Sequence, residues 1–141
     1  MSAMSTYLEN HLVNFILRNN PDSFVSPGTT VYVGLIKYYD AAVVEAGTLT
    51  QEIATAGSTA YNRIQVTSWD ASSNGATQNA GAITFPTATA DWNGVSGVII
   101  TDNATPGAGN VLLHGSLTTA RDVKNGDVFK FNAGDLDVTF A

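Results

Sequence analysis

The chain of 141 residues contains no cysteine. Disulfide bonds and thiolate metal sites are therefore excluded, and folding does not depend on the redox state of the surroundings. Charged residues are also scarce, at 13% of the sequence, about half the share of roughly 25% that is usual for a globular protein. Threonine, serine, asparagine and glycine take their place. Such a surface loses little desolvation energy when it packs against another protein.

Basic residues are the rarer charged class. Six Lys and Arg stand against twelve Asp and Glu, which gives a net charge of −6. Binding to a nucleic-acid backbone needs clustered basic side chains. The closest group, Arg121 and Lys124, is flanked by Asp122 and Asp127. The sequence therefore argues against nucleic acid and against an anionic membrane surface as partners.

Long apolar runs are missing as well. No run approaches the ~20 residues that a membrane-spanning helix requires. The N-terminus shows no basic segment followed by an apolar stretch and a small-residue cleavage site, which is the pattern of a secretory signal. We therefore expect the protein to be made and folded in a reducing cytoplasm.

What the sequence does contain is a β-strand pattern, which is clearest in its last third. Phe129 and Phe131 alternate with Val128 and Lys130, and residues 135–140 alternate between polar and apolar side chains. This period of two is typical of strands with one buried face. The Asn125-Gly126 pair before the first run is a strong signal for a two-residue type I′ hairpin turn, and residues 133–134 separate the two runs. We therefore predict two hairpins at the end of the chain.

One helix is predicted, over residues 5–19. Thr6 and Glu9 have the spacing of a capping box, in which each side chain bonds a free backbone N–H group of the first turn. An apolar stripe follows at helical spacing, formed by Leu8, Leu12, Phe15 and Ile16. In the simpler interpretation this stripe packs on the sheet, and in the alternative it contacts a neighbouring subunit.

Residues 39–59 are small, mixed and weakly patterned, which predicts a long loop with at most a short helical turn. A loop of this length is usually functional or disordered, so it is a candidate contact arm, with a plain surface loop as the alternative. The chain from residue 29 onward gives about eight short strands separated by frequent turn signals. We predict a single domain, residues 1–141, of the mainly β class: an antiparallel β-sandwich or jelly-roll with one N-terminal α-helix.

Residues with catalytic or metal-binding chemistry are few. His11 and His114 are the only histidines, and no nucleophile or carboxylate spacing predicts catalysis for either. Asp135 and Asp137 fall on one face of a strand, but calcium usually takes about 6–8 oxygen ligands, often from a loop. The acidic residues of the long loop, Asp40, Glu45 and Glu52, leave a weak glycosidase alternative. We predict no cofactor, no metal site and no enzymatic activity.

Aromatic and apolar side chains supply the candidates for a binding surface. Trp69 and Trp92 have asparagine and threonine nearby and could form a sugar-stacking platform or an interface anchor. Trp92 follows Asp91 in a connection, so we expect it to be partly exposed, although packing in the core or at its rim is the simpler interpretation. The residues predicted to contact a partner are Leu12, Phe15, Tyr39, Val44, Trp69 and Trp92.

Four segments carry a family resemblance: residues 7–12 (YLENHL), 82–92 (AITFPTATADW), 113–118 (LHGSLT) and 126–136, with GDVF and AGDL at its ends. Together they resemble a family of small virion proteins of tailed bacteriophages. The resemblance covers most of the chain, in order, and is weakest over residues 39–59, where this sequence has a longer loop. Members are often labelled tail-fibre-like, and similar small jelly-roll proteins serve as capsid cement. The family implies no catalytic residues.

The resemblance implies a structural protein of the virion, made in the cytoplasm of the host bacterium. The first hypothesis is a capsid cement or decoration protein, a homotrimer that bridges neighbouring copies of the major capsid protein and stabilises the assembled shell. The alternative is a tail- or fibre-associated component bound to other virion proteins. In that alternative Trp69 and Trp92 would be exposed and would stack on host glycans. Neither hypothesis involves nucleic acid, a membrane or a cofactor.

Overall fold

The computed structural model describes residues 3–19, 31–53 and 59–140. Helix α1 spans Thr6–Leu17 and helix α2 spans Ala41–Glu45. The strands are β1 (Ala3–Met4), β2 (Val31–Lys37), β3 (Ile64–Val66), β4 (Ala76–Gln78), β5 (Ile83–Thr84), β6 (Trp92–Thr101), β7 (Val111–Val123), β8 (Lys130–Phe131) and β9 (Asp137–Thr139). Among the residues described, no helix is long and apolar enough to cross a membrane.

The main sheet is antiparallel, with five strands in the order β1-β7-β6-β2-β3. Strand β6 lies at its centre and pairs with β2 on one side and β7 on the other. Residues Val98–Thr101 of β6 are all buried because elements cover both faces of the sheet there. On one face the cover is a second layer, and on the other it is helix α2.

The second layer consists of two short antiparallel pairs, β4 with β9 and β5 with β8. Phe85, Phe129 and Phe131 of this layer stand edge to face, with ring centroids 5.9 and 5.2 Å apart along the series. They join Leu35 and Val98 of the main sheet in the principal hydrophobic core. The prediction of a mainly β, antiparallel, sandwich-like fold with one N-terminal helix is confirmed, with α2 as a short addition.

The end of the chain contains the predicted strands but not the predicted hairpins. Strand β8 pairs with β5, and β9 pairs with β4, rather than with their neighbours in sequence. Asn125 and Gly126 do form a turn, closed by the Asp127 N–H, which donates to the Lys124 carbonyl at 2.8 Å. Of the two central residues only Gly126 has a positive φ, at +93°. The type I′ prediction is therefore wrong, since that turn needs a positive φ at both.

A two-residue turn with both φ angles positive occurs instead at Asn74 and Gly75, at +52° and +76°. Ser73 and Ala76 flank it and exchange both backbone hydrogen bonds, at 2.9 and 3.0 Å. This Asn-Gly pair directly precedes β4. The sequence has the same Asn-Gly signal here as at residue 125. This pair stands in a segment rich in serine, asparagine and glycine, and that composition predicts only a turn region.

Helix α1 begins one residue earlier than the capping-box interpretation places it. The N-cap is Ser5, whose hydroxyl oxygen accepts from the Leu8 N–H at 3.2 Å, and the helix ends at Leu17 rather than at residue 19. Ser5 is buried because its hydroxyl also donates to the Val111 carbonyl and its backbone N–H donates to the Leu112 carbonyl at 2.9 Å. The first turn of α1 is thus attached to the start of β7.

The described part of the predicted loop 39–59 covers the second face of the main sheet. Asp40 caps helix α2 by accepting from two backbone N–H groups, at 3.0 and 3.4 Å. The helix then places Val44 against Ile36, Ile99 and Val111 in a separate buried cluster. The short helical turn that the sequence allowed is confirmed, but this part of the segment packs on the sheet rather than extending as an arm. Residues 54–58 lie outside the described residues.

Candidate interaction surface

A pocket of about 290 Å³ lies between helix α1 and the two β layers and is partly open to solvent. Its walls are Tyr7, Leu8 and Leu12 of α1, Val31, Ile100, Leu112 and Leu113 of the main sheet, and Trp69, Thr77, Asp102, Val138 and Phe140. The single carboxylate of this set, that of Asp102, already accepts from the Asn110 backbone and side-chain amides at 2.7 and 2.8 Å. A pocket with such an apolar wall suits a hydrocarbon group better than a polar substrate.

The outer face of helix α1 exposes three apolar side chains within one turn. Val13, Ile16 and Leu17 are 52%, 67% and 77% exposed. They occupy positions i, i+3 and i+4, so their side chains are neighbours on the helix surface. We call these three residues the α1 stripe. An exposed cluster of this kind on a small protein is typical of a protein-binding surface.

The orientation of α1 explains why Ile16 is exposed although the sequence placed it in the packing stripe. Ser5 attaches the helix to β7, and from this start Leu8 is turned into the core and Leu12 packs against it. Ile16 lies farther around the helix and faces solvent. The interpretation in which Ile16 packs on the sheet is therefore wrong, and contact with a neighbouring subunit stays a prediction. Helix α1 consequently presents apolar side chains to the pocket and to solvent.

The structure brings together two of the six predicted contact residues. Leu12 and Trp69 both line the apolar pocket, one from α1 and the other from the segment before β4. Phe15 lies on the same helix and is about half exposed. These three residues stay predicted contacts.

Two other predicted contact residues offer no surface. Val44 is fully buried on the inner face of α2, and Trp92 is 1% exposed. Trp92 is the first residue of β6 rather than part of a connection, and its indole N–H donates to the Thr59 carbonyl at 3.0 Å. Its ring stands edge to face with Tyr61, at a centroid distance of 5.6 Å. The expectation that Trp92 is partly exposed is wrong, because β6 begins three residues before Val95.

The sixth predicted contact residue, Tyr39, is half-buried on the α2 face of the sheet. Its hydroxyl lies 2.8 Å from Nδ1 of His114, which is buried in β7 as its sequence context indicates. Burial lowers the pKa of His114, and the charge of Glu45 and the Met4 carbonyl oppose that shift. Burial also raises the pKa of Tyr39, with Glu45 adding to the effect. The contact joins the segment before α2 to β7.

Sequence reasoning missed a buried ion pair between Glu52 and Arg63. Two nitrogens of the guanidinium donate to the two carboxylate oxygens, both at 2.7 Å, and the side chains are 2% and 0% exposed. The third guanidinium nitrogen donates to Thr101 and to the carbonyls of residues 103 and 108. The Tyr61 hydroxyl and the Gly107 N–H complete the carboxylate's partners, at 2.9 and 2.7 Å. The alternation of Tyr61 and Arg63 in sequence could have indicated that Arg63 points inward.

The remaining residues with catalytic or metal-binding side chains lie apart from one another. Glu52 is occupied by Arg63 and Asp40 caps α2, so the acidic residues of the long loop form no acid–base pair with each other. His11 stacks on Tyr7 and its Nδ1 lies 2.7 Å from the Tyr7 carbonyl. Across residues 3–19, 31–53 and 59–140, no three His, Asp or Glu side chains are placed to hold a metal ion.

Comparison with known proteins gives one family. The family model described as Gp80, Podophage GP4 fiber I protein gp80, matches residues 3–139. No curated protein matches the sequence. The matched range includes α1, both β layers, the α1 stripe and every residue of the apolar pocket except Phe140.

Proposed function

The chain belongs to the Gp80 family of podophage fibre proteins, and from this premise we propose that it is a non-enzymatic structural subunit of a virion fibre. The observation that carries the proposal is the match over residues 3–139, which spans all the described strands. The family supports the fibre alternative better than capsid cement. A virion component of this kind acts by binding other proteins, so its function depends on the surface that it presents.

We propose that helix α1 provides this surface and binds another virion protein. The α1 stripe would lie against the partner, and the apolar pocket would receive one of its side chains. Full burial of an exposed aliphatic side chain stabilises a contact by about 1.5–3 kcal/mol, so three such side chains can anchor a contact. The scarcity of charge, at 13% of residues, also suits this role because interface cores are depleted in charged residues.

Protein contact is favoured over glycan contact by the positions of the tryptophans. Stacking on a sugar needs an exposed aromatic face. Trp92 is buried, and Trp69 is half-buried in the wall of an apolar pocket. Trp69 and Trp92 therefore do not form an exposed platform on which a glycan could stack.

A cryo-EM reconstruction of the native particle, with this chain fitted into the density, tests the location. We expect the chain in the fibre. Density that repeats over the icosahedral shell would overturn the fibre assignment and restore the cement hypothesis.

A phage carrying Ile16→Glu and Leu17→Glu tests the surface. We expect particles that lack the protein, while the purified variant keeps the melting temperature of the parent because both side chains are exposed. The matched control is Ala71→Glu with Ser72→Glu, which adds the same charge at exposed positions outside α1. Normal incorporation of the α1 variant would show that the contact lies elsewhere.

A further inference from the structure

The sequence contains three Asn-Gly pairs, at residues 74–75, 93–94 and 125–126. Asparagine is a chemically labile residue, and its amide is lost most readily when glycine follows it. The reason is steric, because glycine has no Cβ to crowd its own backbone nitrogen as that atom approaches the asparagine side chain. Each pair is therefore a candidate for spontaneous modification, and the fold decides which of them can react.

The only co-reactant of this modification is water. The backbone nitrogen of the glycine attacks Cγ of the asparagine, and the new N–C bond closes a succinimide ring. The glycine proton passes to the side-chain nitrogen, which leaves as ammonia. Water then opens the ring at either carbonyl, to give aspartate or isoaspartate, in which the main chain runs through the former side chain. A glycine N–H held in a hydrogen bond reacts more slowly, since that bond must break first.

Two of the three pairs have the glycine N–H occupied. The Gly94 N–H donates to Oδ1 of Asp122 at 2.7 Å. The Gly126 N–H donates to the Ala88 carbonyl, also at 2.7 Å. Both pairs are therefore protected at the atom that would attack.

The third pair, Asn74 and Gly75, lacks this protection. Both residues are exposed, and within the described residues neither the Gly75 N–H nor the Asn74 side-chain amide has a hydrogen-bond partner. The turn is closed by the bonds between Ser73 and Ala76, and the Phe140 N–H donates to the Gly75 carbonyl at 2.8 Å. All of these bonds leave the Gly75 N–H free to react.

We propose that Asn74 is a site of spontaneous deamidation in the folded protein, whereas Asn93 and Asn125 are protected by the hydrogen bonds of the glycines that follow them. The products are aspartate and isoaspartate at position 74. This inference goes beyond the proposed function and does not depend on it, because it rests only on the hydrogen bonding of the three pairs.

The modified turn would lie next to the apolar pocket. Isoaspartate adds one methylene group to the main chain of a two-residue turn, so Ser73 and Ala76 cannot keep the same pair of hydrogen bonds. Phe140, which lines the pocket, is attached to this turn through Gly75. We therefore expect the isoaspartate product to shift Phe140 and to change the shape of the pocket as the protein ages.

Peptide mapping of the purified full chain, incubated at mildly alkaline pH, tests the proposal. A protease that cleaves before aspartate separates the three pairs onto residues 70–90, 91–101 and 122–126, and mass spectrometry measures the conversion of each. The net strength of an ordinary hydrogen bond corresponds to a rate factor of up to about tenfold. We therefore expect Asn74 to be converted roughly threefold to tenfold faster than Asn93 and Asn125.

The same incubation in concentrated urea separates the effect of the fold from that of the sequence. Unfolding exposes all three glycine N–H groups to solvent, so we expect the three pairs to be converted at similar rates.

Ammonia release by the folded chain gives a second readout. The variant Asn74→Gln should lose most of this release, because glutamine would have to close a larger ring. Its matched control, Asn125→Gln, alters an equally exposed Asn-Gly pair and should release ammonia as the parent does.

The proposal is overturned if Asn74 reacts no faster than the other two pairs in the folded chain. It is also overturned if the same ranking of rates persists in urea, since the selection would then come from neighbouring residues in the sequence. Unchanged ammonia release from Asn74→Gln would have the same meaning. The position of the chain in the particle bears only on the proposed function, so the two proposals can fail separately.

Discussion

Replacing Arg63 by methionine removes one member of the buried ion pair and leaves the Glu52 carboxylate without its main partner. An uncompensated buried charge of this kind typically costs about 3–5 kcal/mol of folding free energy. Thr101 and two backbone carbonyls lose their donor in the same step. For a chain of this size we expect the melting temperature to fall by about 10–15 °C.

Denaturant unfolding of the parent and of the Arg63→Met variant measures the loss, and calorimetry checks it. The control is Lys124→Met, which breaks the exposed pair with Asp91, whose side chains are 57% and 46% exposed at 3.6 Å separation. An exposed pair contributes about 0–1 kcal/mol, so the control should change little. A loss below about 1 kcal/mol for Arg63→Met would refute the reasoning, since it would show that the carboxylate is solvated or neutral in the folded state.

Three further predictions concern residues that hold the layers together. Asn79→Asp should destabilise the fold by about 2–4 kcal/mol in denaturant unfolding, because the buried amide donates to the carbonyls of residues 81 and 132. Gly97→Ala should cost about 1–3 kcal/mol in the same assay, since its Cβ would lie 2.5 Å from a ring carbon of Tyr39. Burial lowers the folded-state pKa of His114, so the unfolded chain binds its proton first as the pH falls. Stability should therefore decline as pH drops below the usual histidine pKa of about 6.5, and His114→Phe should flatten this part of the stability curve.

The oligomeric mass tests the sequence-based expectation of a homotrimer. Such an assembly has three times the mass of the 14.8 kDa chain. Light scattering of the purified chain measures this mass, and the trimer stays a prediction until it is made.

The strand content could be predicted from sequence because alternation is a local property. Phe129, Phe131, Leu136 and Val138 are all buried, as the period of two indicates. Strand pairing could not be predicted, because β8 and β9 pair with strands that lie more than forty residues earlier in the chain. A turn signal such as Asn125-Gly126 fixes the local backbone but does not specify which strand lies next to the one that follows it.

The candidate surface could be predicted in part for a similar reason. Helical spacing indicated Leu12 and residue type indicated Trp69, and the two side chains meet in the pocket. Val13 and Leu17 of the α1 stripe were missed, and Ile16 was grouped with Leu8 and Leu12, because hydrophobic spacing cannot tell which of two apolar faces turns inward. Only the attachment of Ser5 to β7 decides that. Trp92 was misplaced because the beginning of β6 depends on its pairing with Val123, far along the chain.

The attachment of Ser5 to β7 also fixes the order of events during synthesis. The Ser5 hydroxyl bonds the Val111 carbonyl, 106 positions later. At about 5–20 residues per second, the ribosome needs roughly 5–20 s to make the segment that the helix will dock on. Throughout that interval both apolar faces of α1 are uncovered and accessible to other nascent copies of the same chain. A chaperone that binds short amphipathic segments would therefore act on the first twenty residues, before the sheet exists.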